Sequence, residues 1–238
     1  MTDIPHRYQG KAVPELTFPP REGGYTKGHE TREQILHAAL RIMVDEGYRA
    51  MSMRRVAAEC GMKLGNLTYH FPTREDLVQA LLDAVIASYE TEFATFAHDP
   101  ALGPEERLVY YCELVLEDIR SKKTTRVFPE LWALSNHAPF VFERVHDLYA
   151  RARAPLEETI AEMRPDLDAG ALQALSLFIS ASMEGLTAFA GYEKPFEPEM
   201  PRLETIATKA FINVIKTIAV DDIPAPAQDR GVNQIGEE

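Results

Sequence analysis

The stretch Ser52–Leu77, SMRRVAAECGMKLGNLTYHFPTREDL, contains two short helical segments that meet at Gly61. Gly61 can adopt the positive φ that a tight turn between two helices requires. The apolar residues of the stretch are spaced so that they would share one small three-helix core; they are Val56, Ala57, Cys60, Met62, Leu67 and Phe71. The other side chains are mostly polar or aromatic. The stretch therefore predicts a helix-turn-helix whose second helix faces solvent.

Helix-start and helix-stop signals surround this stretch. A capping-box pattern at Thr31–Gln34 predicts the start of a first helix, which Gly47 closes. The third helix is expected over Leu64–His70. Thr73 is then predicted to cap a long fourth helix that ends near Phe96. These boundaries place three short helices before the main body of the chain.

The rest of the chain also has helical periodicity, and no strand-like alternation of useful length interrupts it. Proline, glycine and aspartate separate five further predicted helices. Four of them cover about Pro104–Ser121, Thr125–Asn136, Pro139–Met163 and Arg202–Ala219; the other is capped by Asp168 and runs to Ala190. The predicted fold class is therefore all-α, with a small N-terminal three-helix domain and a larger helical domain after it.

The charge is divided unevenly along the chain. The net charge is −12, but residues 1–80 contain 11 Lys and Arg against 10 Asp and Glu, and residues 81–238 contain 14 against 27. The N-terminal part can therefore approach phosphates, while the acidic remainder disfavours DNA. Any contact with nucleic acid is expected to be confined to the helix-turn-helix.

The helix-turn-helix also resembles a known family. The pattern Gly61-Met62-x-x-Gly65-x-Leu67-x-Tyr69-His70-Phe71-Pro72-Thr73-Arg74-Glu75-x-Leu77 is similar to that of the TetR family of transcriptional regulators, over about Thr31 to Leu82. Lys63, Leu64 and Thr68 differ from the residues usual in that family. Because these three lie on the DNA-reading face, the resemblance does not predict the operator sequence.

The resemblance implies a set of DNA-contacting residues. Lys63, Asn66, Thr68 and Tyr69 correspond to positions that face the major groove in similar proteins; asparagine suits adenine, and the threonine methyl suits thymine. Arg54 could reach a guanine or a phosphate. Phosphate contacts are expected from Ser52, Tyr69, His70 and Arg74. The alternative is an ordinary helical hairpin with a solvated polar face.

Aromatic residues are concentrated in the helices between residues 89 and 163. Ligand cavities are mostly apolar with a few polar groups, and similar regulators bind an inducer between these helices. We therefore predict a small, largely apolar effector in contact with Tyr110, Phe128, Trp132 and Phe140. Packing in a plain hydrophobic core is the alternative. Possible polar contacts are Glu113, Glu117, Asn136 and His137.

The last two long helices are apolar enough to bury a further surface. They resemble the pair with which TetR regulators form a four-helix dimer interface, and the predicted interface residues are Leu175, Ile179, Met183, Leu186, Val214 and Ile218. An intramolecular core is again the alternative. Glu184 is exceptional on its apolar helix, and its expected contact is a partner group, a ligand or water.

These patterns divide the chain into four predicted segments. Residues 1–28 form a flexible arm, either a solvated tail or a segment that reaches along DNA, and residues 29–75 form the DNA-binding domain. Residues 76–220 form the ligand-binding and dimerisation domain. Residues 221–238 form a disordered tail.

Several other classes of protein are disfavoured. Two cysteines, Cys60 and Cys112, make no disulfide framework and suit a reducing cytoplasm as buried thiols. No histidine or cysteine spacing typical of a metal site is present, nor a glycine-rich phosphate loop or nucleophile elbow. The most apolar stretch, Ala171–Gly191, contains Gln173 and Glu184 and is better read as a buried helix than as a membrane span. We therefore expect no cofactor, no metal and no membrane association.

The sequence thus predicts a cytoplasmic, homodimeric regulator of transcription, specifically a repressor that a small molecule releases from a near-palindromic operator. The first alternative is an activator that needs its ligand to bind DNA. The second is an all-α enzyme or carrier whose N-terminal helices bind a partner. The absence of catalytic signatures disfavours this second alternative.

Overall fold

A computed structural model describes residues 16–18 and 26–224, and in this part of the chain the regular elements are all helices, as predicted. The α-helices are α1 Thr26–Glu46, α2 Met53–Glu59, α3 Leu64–His70, α4 Arg74–Phe93, α5 Pro104–Ile119, α6 Lys122–Ser135, α7 Pro139–Met163, α8 Ala169–Gly185, α9 Thr187–Ala190 and α10 Met200–Thr217. Short 3₁₀ turns occupy Tyr48–Ala50, Glu197–Glu199 and Val220–Asp222.

Helices α1 to α3 form the predicted N-terminal unit. The Ser52 hydroxyl caps α2 by accepting a hydrogen bond from the backbone N–H of Arg55, at 3.2 Å. Gly61 takes φ 64° in the turn between α2 and α3, which confirms the reason for a glycine there. The core of the unit includes Val56, Ala57, Leu67 and Phe71. Cys60 and Met62 are only half-buried, because the turn carries them to the edge of this core.

The start of α1 differs from the prediction. The helix begins at Thr26, so Thr31 lies inside it and is not its N-cap. Part of the predicted flexible arm is also ordered against the body. The backbone N–H of Thr17 donates to the carbonyl of Ala84 at 3.2 Å, and Leu16 is buried. The apolar side chains of this segment account for its packing; residues 1–15 and 19–25 lie outside the described part of the chain.

The larger unit is organised around α7, which packs against α4, α5, α6 and α8. Thr73 and Asp76 form the capping box that starts α4, as predicted. The predicted single helix that reaches Ala190 is instead two helices. The turn at Leu186 tightens, with its N–H bonded to the carbonyl of Met183 at 2.9 Å, and this separates α8 from α9.

The C-terminal end of α10 is held by the side chain of an arginine that follows the end of α7. Arg164, which follows α7, donates to the carbonyl oxygens of Ile215 at 2.6 Å and Ile218 at 3.0 Å. These bonds satisfy carbonyls that a helix terminus leaves unpaired. Of the predicted tail, residues 221–224 follow in an ordered turn, and residues 225–238 lie outside the described part of the chain.

One helical stretch, Ala169–Ala190, is long and apolar enough to cross a membrane by length and composition alone. A core helix of a soluble protein passes the same test. Ala171, Leu175, Ile179 and Met183 of this stretch are buried inside the helical body. One face of α8 is therefore packed inside the helical body.

Candidate DNA interface and ligand cavity

The solvent-facing side of α3 carries several of the predicted DNA-contacting residues. Lys63 precedes the first turn of α3, and both it and Asn66 are exposed. Tyr69 has 83% of its surface exposed, and its ring meets that of His70 edge-on. A helix that presents a cation, an amide and an aromatic hydroxyl to solvent can contact base edges and phosphates together.

Two neighbouring arginines on α2 differ in their availability. Arg55 is held by Glu46 at 2.5 Å and by Glu59 at 2.9 Å, which raises the pKa of its guanidinium. Arg54 is exposed and takes part in none of the ion pairs found among residues 26–224. Arg54 is therefore the arginine of this pair that can turn to a phosphate or a guanine.

Two of the other predicted DNA contacts also have partners inside the protein. The Thr68 hydroxyl donates to the carbonyl of Gly65 at 3.2 Å. The Arg74 guanidinium donates to the carbonyl of Tyr48 at 2.6 Å and lies 4.0 Å from the centre of its ring. Arg74 thus fastens the start of α4 to the turn after α1, so its loss would disturb the fold as well as any phosphate contact.

His70 is likewise tied to the domain core. Its carbonyl accepts a hydrogen bond from Arg32 at 2.5 Å, and Arg32 also lies over the ring of Phe71 at 4.1 Å. Partial burial and, second, the nearby Arg32 charge lower the pKa of the His70 imidazole. His70 therefore favours its neutral form in the DNA-free protein.

Two of the cavities in the larger unit share lining residues around Glu184. The inner cavity, of about 30 Å³, lies among α4 to α8; its aromatic lining residues are Tyr89, Phe93, Tyr111, Phe128 and Tyr149. The outer cavity, of about 380 Å³, is open to solvent; its lining includes Trp132, Tyr149, Arg153, Leu177 and Glu184. Tyr149, Ser180 and Glu184 belong to both, so these three residues form the boundary between them.

Two carboxylates face the inner cavity, and they differ in their partners. Asp118 accepts hydrogen bonds from the hydroxyls of Tyr89, at 2.6 Å, and Thr124, and it pairs with Lys123 at 3.4 Å. Glu184 interacts with the Tyr149 hydroxyl, but its Oε2 is enclosed and has no hydrogen-bond partner in the structure. Burial, followed by the charge of Asp118, raises the pKa of Glu184 to about 7.

Two family models match these two units separately. The model described as "Bacterial regulatory proteins, tetR family" matches residues 35–81, and the model described as "BetI-type transcriptional repressor, C-terminal" matches residues 104–210. The chain belongs to the TetR family of transcriptional regulators. Its relatives are regulators of transcription and not enzymes.

Individual relatives agree with this assignment. The chain is 28% identical over 169 residues to an uncharacterised HTH-type transcriptional regulator in the dhlA 5′ region of Xanthobacter autotrophicus, across 69% of this chain and 79% of the relative. A crystallised regulator from Streptomyces coelicolor A3(2) is 26% identical, with a TM-score of 0.61 over 79% of this chain and 99% of that one. A regulator from Saccharomonospora viridis was crystallised in complex with choline. It is 20% identical, with a TM-score of 0.61 over 79% of this chain and 97% of that one.

The cavities of this TetR-family chain include some of the predicted ligand-contacting residues. Phe128 lines the inner cavity and Trp132 the outer one. Tyr110 and Phe140 line neither, and this part of the prediction is corrected. On α5 it is Tyr111 that faces the cavity, because adjacent residues on a helix point about 100° apart, and Tyr110 packs against Phe96 instead.

Most of the polar residues that line the two cavities were not predicted from the sequence. None of the four polar candidates, Glu113, Glu117, Asn136 and His137, lines either cavity. Asp118 and Tyr149 gave no local signal, since a charged or aromatic residue is ordinary on an amphipathic helix. Glu184 did give a local signal, because it is an acidic residue on an otherwise apolar helix.

The predicted dimer surface also requires a correction. Leu175, Ile179 and Met183 are 4%, 0% and 1% exposed inside one protomer, so they have almost no surface left to offer a partner. Leu186, Val214 and Ile218 are half-buried. The exposed apolar side chains of the same region are Leu177, Phe178, Phe189 and Ile206, which are between 51% and 64% exposed. Helix α8 is apolar on nearly all sides, so periodicity could not distinguish its inner face from its outer one.

The DNA-binding unit meets the larger unit through α6 as well as through α4. Glu130 accepts a hydrogen bond from the backbone N–H of Tyr48, and Lys122 pairs with Asp45 at 2.6 Å. The same helix carries Phe128 and Trp132 into the cavities. Helix α6, which contains Pro129 between Phe128 and Glu130, therefore contacts both the cavities and the end of α1. Among the described residues, no group of three or more His, Cys, Asp and Glu could hold a metal ion.

Proposed function

We propose that this chain is a homodimeric, ligand-responsive repressor that binds a near-palindromic operator through α2 and α3. The single observation that carries the proposal is the position of α6 between the cavities and the turn that precedes α2. A ligand that moves Phe128 or Trp132 must also act on Glu130, which is on the same helix. The repressor role is further supported by the description of the matching C-terminal model.

The proposed mechanism is a population shift between two arrangements of the DNA-binding units. A dimer reads two half-sites about one helical turn apart, so a small change in the spacing of the units weakens both contacts together. The ligand must bind the released arrangement more tightly for the equilibrium to move. The choline in the Saccharomonospora viridis regulator supports a small molecule as the ligand of this fold.

The proposed dimer forms through the exposed apolar side chains of α8, α9 and α10. Phe178, Phe189 and Ile206 are each more than half exposed in the single chain, and none of them lines either cavity. Clustered exposed apolar residues of this kind mark a protein–protein surface. The protein is expected to work in the cytoplasm, which suits its cysteines, since neither forms a disulfide.

The experiment that tests the function is selection of bound duplexes from a random DNA pool, followed by titration of the enriched duplex against salt. Enrichment of an inverted repeat, with affinity that falls steeply as salt rises, is the expected result. Repetition with candidate ligands separates a repressor, which loses affinity, from an activator, which gains it. Weak binding to all duplexes alike would refute DNA recognition and leave an enzyme or carrier as the alternative.

A further inference from the structure

Of the two carboxylates on the walls of these cavities, that of Glu184 is the less compensated. Its residue is half-buried, but its Oε2 is enclosed and makes no hydrogen bond. None of the ion pairs between described residues includes Glu184, whereas Asp118 across the inner cavity pairs with Lys123 and accepts two hydroxyl hydrogen bonds. The Tyr149 hydroxyl contacts this carboxylate, but no cation balances its charge, so a positive group placed beside it would gain a large electrostatic stabilisation.

Aromatic rings surround this carboxylate on both sides of the cavity boundary. Trp132 and Tyr149 line the outer cavity with it, and their orientation is fixed because the indole N–H donates to the Tyr149 hydroxyl at 2.8 Å. Tyr89 and Phe128 lie on the inner side. The faces of aromatic rings attract cations, most strongly where water is excluded. The rings and the carboxylate therefore favour the same sign of charge.

The other charged and titratable groups around the cavity do not neutralise Glu184. Lys123 of α6 pairs with Asp118 of α5 and lies 5.1 Å from the centre of the Tyr89 ring of α4. Tyr111 of α5 and Tyr149 of α7 stay protonated, because burial raises the pKa of each hydroxyl. Arg153 of α7 lines the outer cavity but forms no ion pair with Glu184.

We propose that the cavity binds a small organic cation, an amine or a quaternary ammonium, with its charged group beside Glu184 and its apolar part between Trp132 and Tyr149. The outer cavity, at about 380 Å³, has room for such a molecule. This inference rests on the proposed function, in which the cavity is the effector site. It changes the chemical class of the effector from the largely apolar molecule expected from the sequence to a cation with apolar substituents.

The test compares two probes of the same shape, phenyltrimethylammonium and its uncharged isostere tert-butylbenzene, on DNA-free protein. Trp132 is the only tryptophan, so its fluorescence reports binding at this cavity. The cation is expected to bind at least about tenfold more tightly than the hydrocarbon, which corresponds to ~1.4 kcal/mol. The variant Glu184→Gln, which keeps the shape and removes the charge, should lose most of this preference. Glu143→Gln, on the exposed surface of α7, is the matched control.

A pH series provides a second readout on the same proteins. A bound cation favours the ionised form of Glu184, so binding below neutral pH must release a proton from this carboxyl. Cation affinity should therefore rise between pH 5 and pH 8 in the wild type, and it should stay nearly constant in Glu184→Gln. Circular dichroism confirms that the variant is folded at each pH.

Three outcomes would overturn the proposal. They are equal binding of the two probes, equal cation affinity of the wild type and Glu184→Gln, and failure of phenyltrimethylammonium, tetramethylammonium and tetraethylammonium alike to bind. Operator binding is measured separately, so each of these can occur in a protein that still recognises DNA. If the cations bind at Glu184 and leave operator affinity unchanged, the site is supported and the effector role of the cavity fails.

Discussion

Arg74 and Glu130 bind the two backbone polar groups of one residue, Tyr48, from two different helices. Arg74 at the start of α4 donates to its carbonyl at 2.6 Å, and Glu130 of α6 accepts from its N–H. Tyr48 begins the short turn that leads into α2. Both helices also line the inner cavity, α4 through Tyr89 and α6 through Phe128. The turn before the DNA-reading helices is thus held by two helices that a ligand would contact.

The contact between Glu130 and Tyr48 should contribute to stability. We expect Glu130→Ala to lower the free energy of unfolding by about 1.5–3 kcal/mol, the range for a hydrogen bond to a charged group, and Glu130→Gln to lower it less because the amide oxygen still accepts. Urea unfolding at fixed protein concentration measures both. Glu143→Ala, at an exposed position of α7, should change little; an equal loss in this control would mean that the junction has no special role.

Gly47 should tolerate a side chain less well than Gly61. Gly61 has φ 64°, where alanine costs roughly 1–2 kcal/mol of backbone strain, whereas Gly47 has φ 86° and ψ 165°, a conformation that is essentially restricted to glycine. A Cβ at Gly47 would also lie 2.7 Å from Glu130 Oε1, whereas a Cβ at Gly61 meets nothing within 4 Å. Gly47→Ala should therefore destabilise more than Gly61→Ala. A double-mutant cycle with Glu130→Ala should recover the part of the difference that comes from the clash, and full additivity would contradict the clash.

Glu184 should make stability depend on pH in a known direction. Its pKa is raised from 4.5 to about 7 in the folded protein, so its contribution to stability is fully present below about pH 4.5 and is lost as pH rises through 7. At 1.4 kcal/mol per pKa unit the loss is on the order of 3 kcal/mol. The difference in unfolding free energy between wild type and Glu184→Gln should therefore change by this order between pH 5 and pH 8, in favour of the variant at pH 8. A constant difference would show that the carboxyl is not perturbed.

The exposed residues of α3 should divide into positioning and specifying contacts. Tyr69→Ala is expected to weaken binding to all duplexes by a similar factor, and Asn66→Ala to relax preference at one base pair by about 1–3 kcal/mol. Because both side chains are exposed, neither variant should alter the melting temperature. Arg74→Ala should lower both DNA affinity and melting temperature, since it also loses the bond to Tyr48. Identical specificity profiles for all variants would refute this division.

Neighbouring residues of α8 should separate dimerisation from folding. Phe178 is 52% exposed and Ile179 is fully buried. Phe178→Glu is expected to give a folded monomer with a light-scattering mass close to the 26.8 kDa of one chain, while the wild type has twice that mass. Ile179→Glu should instead unfold the protomer, because it places an unpaired charge in the core. A dimer that survives Phe178→Glu would place the interface elsewhere.

Helix boundaries were predictable where a local signal sets them. Gly61 and Thr73 act through backbone angles and hydrogen bonds within three or four residues of themselves, and each behaves as the sequence indicates. Thr31 carries the same kind of pattern, but a longer helix overrides it, since the residues before it also adopt helical geometry. A capping pattern shows where a helix can start and not where it must.

The sequence by itself determined the all-α class, the helix-turn-helix and the TetR resemblance, because these depend on periodicity and on contacts between near neighbours. Only the tertiary structure decided which face of α8 is inside and which residues meet at the cavity. Helix α8 is apolar all round, so no periodic signal distinguishes Ile179 from Phe178. Glu184 meets Tyr149 and Trp132 only after the three consecutive helices α6, α7 and α8 have packed together, and its raised pKa is a product of that enclosure.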